Sequence, residues 1–160
     1  MFRLDRLTGD EGPRLRAIRL RALEDAPDAF SATMNEALTR SLEGWTRQVL
    51  ELPTFVAVCD GIDVGMVRSA LDARSPETAW LISMWVAPDT RRRGVGAALV
   101  DAVIGWARAN GVTRVLLDVA DHNTPAIELY TRKGFVPTGI TGAMPAPRAH
   151  VREHQRELRL

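Results

Sequence analysis

"WVAPDTRRRGVGAALV", Trp85–Val100, is the stretch on which the architecture turns. An apolar run closes at Val86 and Pro88 stops it. From Gly94 onward Val95, Leu99, Ala102, Val103 and Trp106 recur at helical spacing until Gly111. The segment reads as strand, turn and helix. The first turn of a helix leaves backbone N–H groups unpaired, with the positive end of the helix dipole behind them. Glycines at 94 and 96 let an anion approach that backbone, and Arg91, Arg92 and Arg93 add charge at the rim. Together these features read as a diphosphate site. The loop is not the G-x-G-x-x-G of a dinucleotide fold, because Leu99 takes the third glycine's place, nor does it end in G-K-[ST]. Three arginines on a turn also suit a plain solvated surface, so the loop alone does not decide.

Elements extend outward on both sides. "FRLDRL" alternates like a short strand, Thr8 and Glu11 form a capping-box pattern, and Pro13 falls in the first turn of a helix running to about Glu24. A second helix is expected from Asn35 to Leu52, with Leu38, Leu42, Trp45, Val49 and Leu52 on one face. Three strands follow, "TFVAVCD", "IDVGMVRSALD" and "TAWLISMWV", the first two joined by a tight turn at Asp60-Gly61. Beyond the helix after Gly94, "VTRVLLDVA" is a strand, "PAIELYTRKG" a short helix and "FVPTG" a strand. "HQRELRL" is expected to finish the sheet as an edge strand, with a helix as the alternative. The class is α/β: one domain, residues 1–160, with a mixed sheet and helices on its faces.

At 160 residues, 46% hydrophobic and 26% charged, the chain has the balance of a soluble globular domain. A net charge of +1 gives no global field for binding a polyanion. The halves differ: residues 1–80 carry 10 basic and 13 acidic side chains, residues 81–160 carry 11 and 7, so an anionic ligand is drawn to the second half. Nucleic acid is not expected as a partner, because no interleaved aromatics or second basic stripe accompany the arginines. Cys59 is the only cysteine and reads as a buried, inert thiol; with no second cysteine there is no sign of an oxidising compartment. No signal-peptide core and no apolar run of about 18 residues is present, so the expected compartment is the cytoplasm, with no membrane partner.

A second motif joins the first. "V-x-P-x-x-R-x-x-G-x-G", Val86 to Gly96, is followed by "N-x-x-A-x-x-L-Y-x-x-x-G-F", Asn123 to Phe135. This ordered pair resembles the GNAT superfamily of acyl-CoA-dependent N-acyltransferases, most strongly over residues 80–139. The resemblance implies a mostly antiparallel sheet splayed open between strands ending near Val86 and Val119, with the pantetheine arm of acetyl-CoA in the gap. It further implies that the backbone of Met84, Trp85 and Val86 pairs with the pantetheine amides. The N–H groups of Arg91, Arg92, Arg93, Gly94, Val95 and Gly96 would cradle the diphosphate, with Arg91 where a glutamine is often found. Asn123 would contact the cofactor arm and Ala126 leave room for it. As a residue read by itself, Asn123 suits equally a helix cap before Pro125.

Acetyl transfer to an amine needs a base for the amine, a donor for the oxyanion and an acid for the departing thiolate. The resemblance implies Tyr130 as that acid, and a backbone N–H near Val86 is the expected oxyanion donor. Asp118 is the candidate base, where some family members carry glutamate; a salt-bridging carboxylate is the other reading. Asp121 and Glu24 stand behind it. "HVREH", His150 to His154, matches an inverted zinc-protease pattern, but no third ligand segment follows, so no metal is expected.

The acceptor is left open between a small amine or antibiotic and a peptide N-terminus. The resemblance places its determinants in the first two helices, their connection and the last hairpin. Glu24, Asp25 and Asp28 suit a cationic amine, and Met144, Pro145 and Pro147 an apolar wall. A non-catalytic CoA-binding sensor of the same fold is the alternative function. The resemblance also leaves a homodimer open.

Overall fold

The computed structural model describes residues 1–160. In chain order it contains β1 (Arg3–Arg6), α1 (Gly12–Asp25), α2 (Met34–Thr39), α3 (Leu42–Glu51), β2 (Thr54–Cys59), β3 (Ile62–Asp72), β4 (Ser75–Val86), α4 (Val95–Ala109), β5 (Arg114–Ala120), α5 (Thr124–Arg132), β6 (Val136–Ala143) and β7 (Arg152–Arg159). The seven strands form one sheet in the order β1-β2-β3-β4-β5-β7-β6. Every pairing is antiparallel except β4–β5.

Local chemistry sets most boundaries. Asp60 and Gly61 both take positive φ, 50° and 77°, the twist a two-residue hairpin requires. Glu11 reaches back to the Thr8 N–H at 2.9 Å and Pro13 opens α1, so half of the expected box forms. The helix expected over 35–52 is two helices. Ser41 caps α3 by accepting from the Gly44 N–H, and Arg40 is extended at φ −67°, ψ 133°, which breaks the backbone ladder. The capping serine outweighs the continuous apolar spacing, and Leu38 and Leu42 are solvent-exposed rather than packed.

The tail strand is also placed differently from expectation. β7 lies inside the sheet between β5 and β6, paired with β5 over Arg114–Ala120, and β6 is the edge. Its alternation of charged residues resembles an edge strand, but Arg156 is buried, donating to Thr131 Oγ1, the Phe135 carbonyl and His154 Nε2.

Helices cover both faces. A Cβ at Gly65 on β3 would sit 3.0 Å from Val95 and 3.1 Å from Leu99, so Gly65 faces α4 and its neighbours Met66 and Arg68 face α1 and α3. One apolar cluster of 31 buried residues spans both layers, including Leu15, Ile18, Met66, Leu99, Leu117 and Phe135. Each large aliphatic group so buried contributes about 1.5–3 kcal/mol.

Candidate active site

β4 and β5 pair only across Thr78–Trp80 and Arg114–Leu116. Beyond that point β4 runs on to Val86 and β5 to Ala120, and the strands part. β5 stays paired with β7 along its other edge, so the gap opens one unpaired edge of β4 from Leu81 onward. Within that edge Ser83 and Met84 stand opposite the single residue Val67, a bulge marked by the Ser83 φ of 56°. The bulge re-aims the β4 backbone at the gap. Ser83, Met84, Asp118, Asn123, Tyr130 and Glu153 line the resulting cleft.

At the end of β4, Thr90 is buried and its hydroxyl donates to the Ala87 carbonyl at 3.0 Å, anchoring the turn. Arg92 and Gly94 both take positive φ, 64° and 83°, before α4 begins. The first helical bond runs from Ala98 N–H to the Gly94 carbonyl, leaving the N–H groups of the first turn free for an anion. Nothing lies within 4 Å of where a Gly94 Cβ would be, so the space before the turn is open. Gly96 has a second reason: a Cβ there would press Leu129 of α5 at 3.1 Å, and its absence lets α4 and α5 approach.

Two carboxylates share one face of the sheet beside the gap. Asp118 pairs across the ladder with Gln155, and Ala120 with Glu153, so Asp118 and Glu153 are diagonal neighbours. Desolvation by the cleft walls pushes the Asp118 carboxyl above its ordinary value, opposed by His154. Glu153 is raised by desolvation and then by the negative charge of Asp118. Tyr130 is buried on α5 against Phe135, ring centroids 5.8 Å apart at 60°, and burial alone raises its phenol.

Arg148 ties the β6–β7 connection to the loop between α1 and α2, part of which borders the cleft. Its buried guanidinium donates to the carbonyls of Pro27, Phe30, Ser31 and Ala32, in the loop between α1 and α2. Asp28 of that loop faces the cleft.

The model of the acetyltransferase (GNAT) family matches residues 17–135. The chain belongs to the GNAT family. The mycothiol acetyltransferase of Beutenbergia cavernae is 29% identical over 124 residues, which are 78% of this chain and 41% of that protein. Thus the GNAT chain spans about two fifths of the length of that relative. A GNAT acetyltransferase from Streptococcus pneumoniae superposes at a TM-score of 0.83 with 19% identity over 100% of both chains. The yncA protein of Salmonella typhimurium, solved with its cofactor acetyl-CoA, superposes at 0.79 with 18% identity, covering 100% of this chain and 94% of that one. These superpositions establish the GNAT fold, with its splayed mixed sheet.

On that GNAT frame most of the anticipated residues gather. Met84 and Val86 lie on the free β4 edge, as does Trp85, whose indole turns into the core and donates to Asp25 at 2.9 Å. Gly94 and Val95 join loop to helix, and Ala126 lines the cleft in the first turn of α5. Asn123 caps α5, its side-chain oxygen accepting from Ala126 N–H at 3.3 Å, while the residue also lines the cleft. Arg92 and Arg93 are exposed. Arg91 is exposed as well, but its side chain is tied down: its Nη2 is 2.7 Å from Asp25 and its Nε donates to the Val86 carbonyl at 2.9 Å. A guanidinium beside a carboxylate and a strand-end carbonyl makes the stronger, charge-assisted kind of hydrogen bond.

Other expectations fall away from the cleft. Asp25 is engaged by Arg91 and Trp85, and Glu24 is exposed outside the cleft lining. Asp121 meets His154 Nδ1 at 2.8 Å. Met144 is buried with Ala120 and Val151 in a small separate cluster. Cys59 is half-buried, its Sγ 3.9 Å from Asp60. No group of three or more His, Cys, Asp or Glu side chains is arranged to hold a metal, and no helix is long and apolar enough to cross a membrane. Glu153 escaped the sequence reading because the tail strand was expected to begin at His154.

Proposed function

We propose that the protein transfers the acetyl group of acetyl-CoA to the primary amine of a small molecule by direct attack with both substrates bound. One observation carries this reading. The parting of β4 and β5 sets a free backbone edge, the first turn of α5, two raised carboxylates and Tyr130 around a single cleft.

The residues fit acetyl-CoA. The open space before Gly94 and the free N–H groups of the first turn of α4 suit a diphosphate, and the β4 edge at Met84 and Val86, which β5 leaves unpaired, suits the pantetheine. When bound, acetyl-CoA supplies an activated thioester carbonyl. Asp118, with Glu153 beside it, takes the proton of the incoming ammonium, directly or through a water. A raised carboxyl is a better proton acceptor than an ordinary one. The bulged β4 edge provides an N–H donor for the oxygen that becomes negative as nitrogen bonds to the carbonyl carbon. Tyr130 gives its proton to the sulfur as the carbon–sulfur bond breaks. Burial makes this phenol a weaker acid, but the same dry surroundings make a departing thiolate more basic, so the transfer stays matched.

Release of free CoA thiol from acetyl-CoA on addition of primary amines tests the reading. Amine-dependent thiol release supports it. Acetyl-CoA binding without turnover of any amine instead supports the CoA-sensor function.

A further inference from the structure

Arg19, Arg40 and Arg68 make a cationic cluster between α1, α3 and the β3–β4 pair, and none of the three forms an ion pair. Arg19 and Arg68 are only 8% and 4% exposed. The Nε of all three is buried without a hydrogen-bond partner. Burial, and then the other arginines, pull Arg19 down to about 10 and Arg68 to about 9, so both stay charged at neutral pH.

What compensates them is slight. Arg19 lies over the Phe30 ring at 5.6 Å, Arg40 over Trp45 at 5.1 Å, and Arg68 donates to the Gln48 carbonyl at 3.2 Å. Buried charges are ordinarily paired, because an isolated one is costly to hold out of water. A carboxylate would supply the missing partner, and this chain places none there.

The cluster reaches the cleft at one atom. Arg19 Nη1 donates to Ser83 Oγ at 2.7 Å. A hydroxyl that accepts from a guanidinium has its own proton free to donate, and Ser83, on the bulge, lines the cleft. The same cleft presents Asp28, Asp118 and Glu153. It thus carries negative groups around one part and a serine backed by positive charge at another.

We propose that Ser83 and Arg19 form a subsite for a carboxylate on the acceptor, so that the acceptor is a free amino acid whose ammonium group meets Asp118 and Glu153. Arg40 and Arg68 supply positive potential behind the subsite. The inference rests on the acetyltransferase reading and narrows it. A peptide N-terminus has its α-carboxyl tied up in an amide and would leave the cluster uncompensated, as would a simple amine.

The experiment compares L-amino acids with their α-amides and their decarboxylated amines, measuring thiol release from acetyl-CoA. The expected result is a preference for the free amino acid of about 10–100-fold in kcat/KM, the range of a hydrogen bond to a charged group. Ser83→Ala, which keeps the backbone and loses only the hydroxyl, and Arg19→Met should each abolish that preference. They should raise KM for the amino acid and leave KM for acetyl-CoA in place. If Arg19→Met does not fold, Ser83→Ala decides. Amides or decarboxylated amines used as well as the amino acids, or a preference that survives Ser83→Ala, overturns the inference while leaving the acetyltransferase reading intact. No turnover of any of the three kinds by protein that binds acetyl-CoA removes both.

Discussion

The guanidinium of Arg91 lies 2.7 Å from the carboxylate of Asp25, which also accepts the Trp85 indole N–H at 2.9 Å. One acid at the end of α1 therefore fixes both the last residues of β4 and the entry to the turn before α4. Asp25→Ala should leave the buried indole unpaired and free the loop. Stability should fall by about 1 kcal/mol, since Arg91 is half exposed and its share is screened. Acetyl-CoA affinity should fall about 5-fold, the same energy expressed as binding. Urea denaturation and calorimetry check the two effects.

Tyr130→Phe keeps the ring against Phe135 and removes only the hydroxyl. Turnover should drop by about 10²–10⁴ with the melting temperature unchanged, as for loss of a general acid. Turnover equal to the parent protein would take Tyr130 out of the chemistry.

Asp118 and Glu153 have carboxyls raised above their ordinary values of 3.8 and 4.5. A base must be deprotonated, so kcat should rise with pH along a limb lying above those values. Asp118→Asn should lower the plateau by about 10². The stability effect has the opposite sign. A raised carboxyl favours the folded state below its unfolded value and loses that contribution as pH rises through the folded value. Asp118→Asn should therefore be more stable than the parent at pH 7, measured by thermal denaturation.

Arg14 bridges three acids: Asp63 at 2.8 and 2.9 Å, Glu11 at 2.9 Å and Asp5 at 3.0 Å. The side-chain hydrogen bond from Arg14 holds Asp5 low; in Glu11 the backbone bond from Thr8 leads and Arg14 follows. Their contribution is present above the ordinary 3.8 and 4.5 and is lost as pH falls through the lowered values. Arg14→Met should cost about 1–2 kcal/mol at neutral pH, allowing for solvent screening. The difference should shrink in denaturation curves taken at successively lower pH, as those carboxyls are protonated.

Arg148→Ala should uncouple the β6–β7 connection from the loop holding Asp28, because four carbonyls lose their shared donor. KM for the amine should rise about 10-fold or more, the scale of one lost hydrogen bond to a charged group, with KM for acetyl-CoA unchanged. Steady-state kinetics in each substrate separates the two.

The turn before α4 and the start of α5 were legible in the sequence because their signals are local. Pro88, Gly94 and Gly96 announce strand end, turn and helix start within a few residues, and Asn123 to Phe135 repeats the pattern in α5. The acceptor side was not, because it is assembled across the fold. Arg148 meets Phe30 from 118 residues away, and Arg19 meets Ser83 from 64. Glu153 joins Asp118 only once β7 is known to lie beside β5. Helical spacing over 35–52 hid Ser41, whose single hydroxyl divides the segment.

The interior position of β7 bears on how the chain is made. Seven strands in the order β1-β2-β3-β4-β5-β7-β6 mean that β6 emerges from the ribosome before the strand that joins it to the sheet. Until β7 arrives, β5 and β6 both present naked hydrogen-bonding edges, the kind of surface on which nascent chains self-associate. A chain that has reached only β6 therefore carries two unpaired edges, and β7 must be made before the sheet can close.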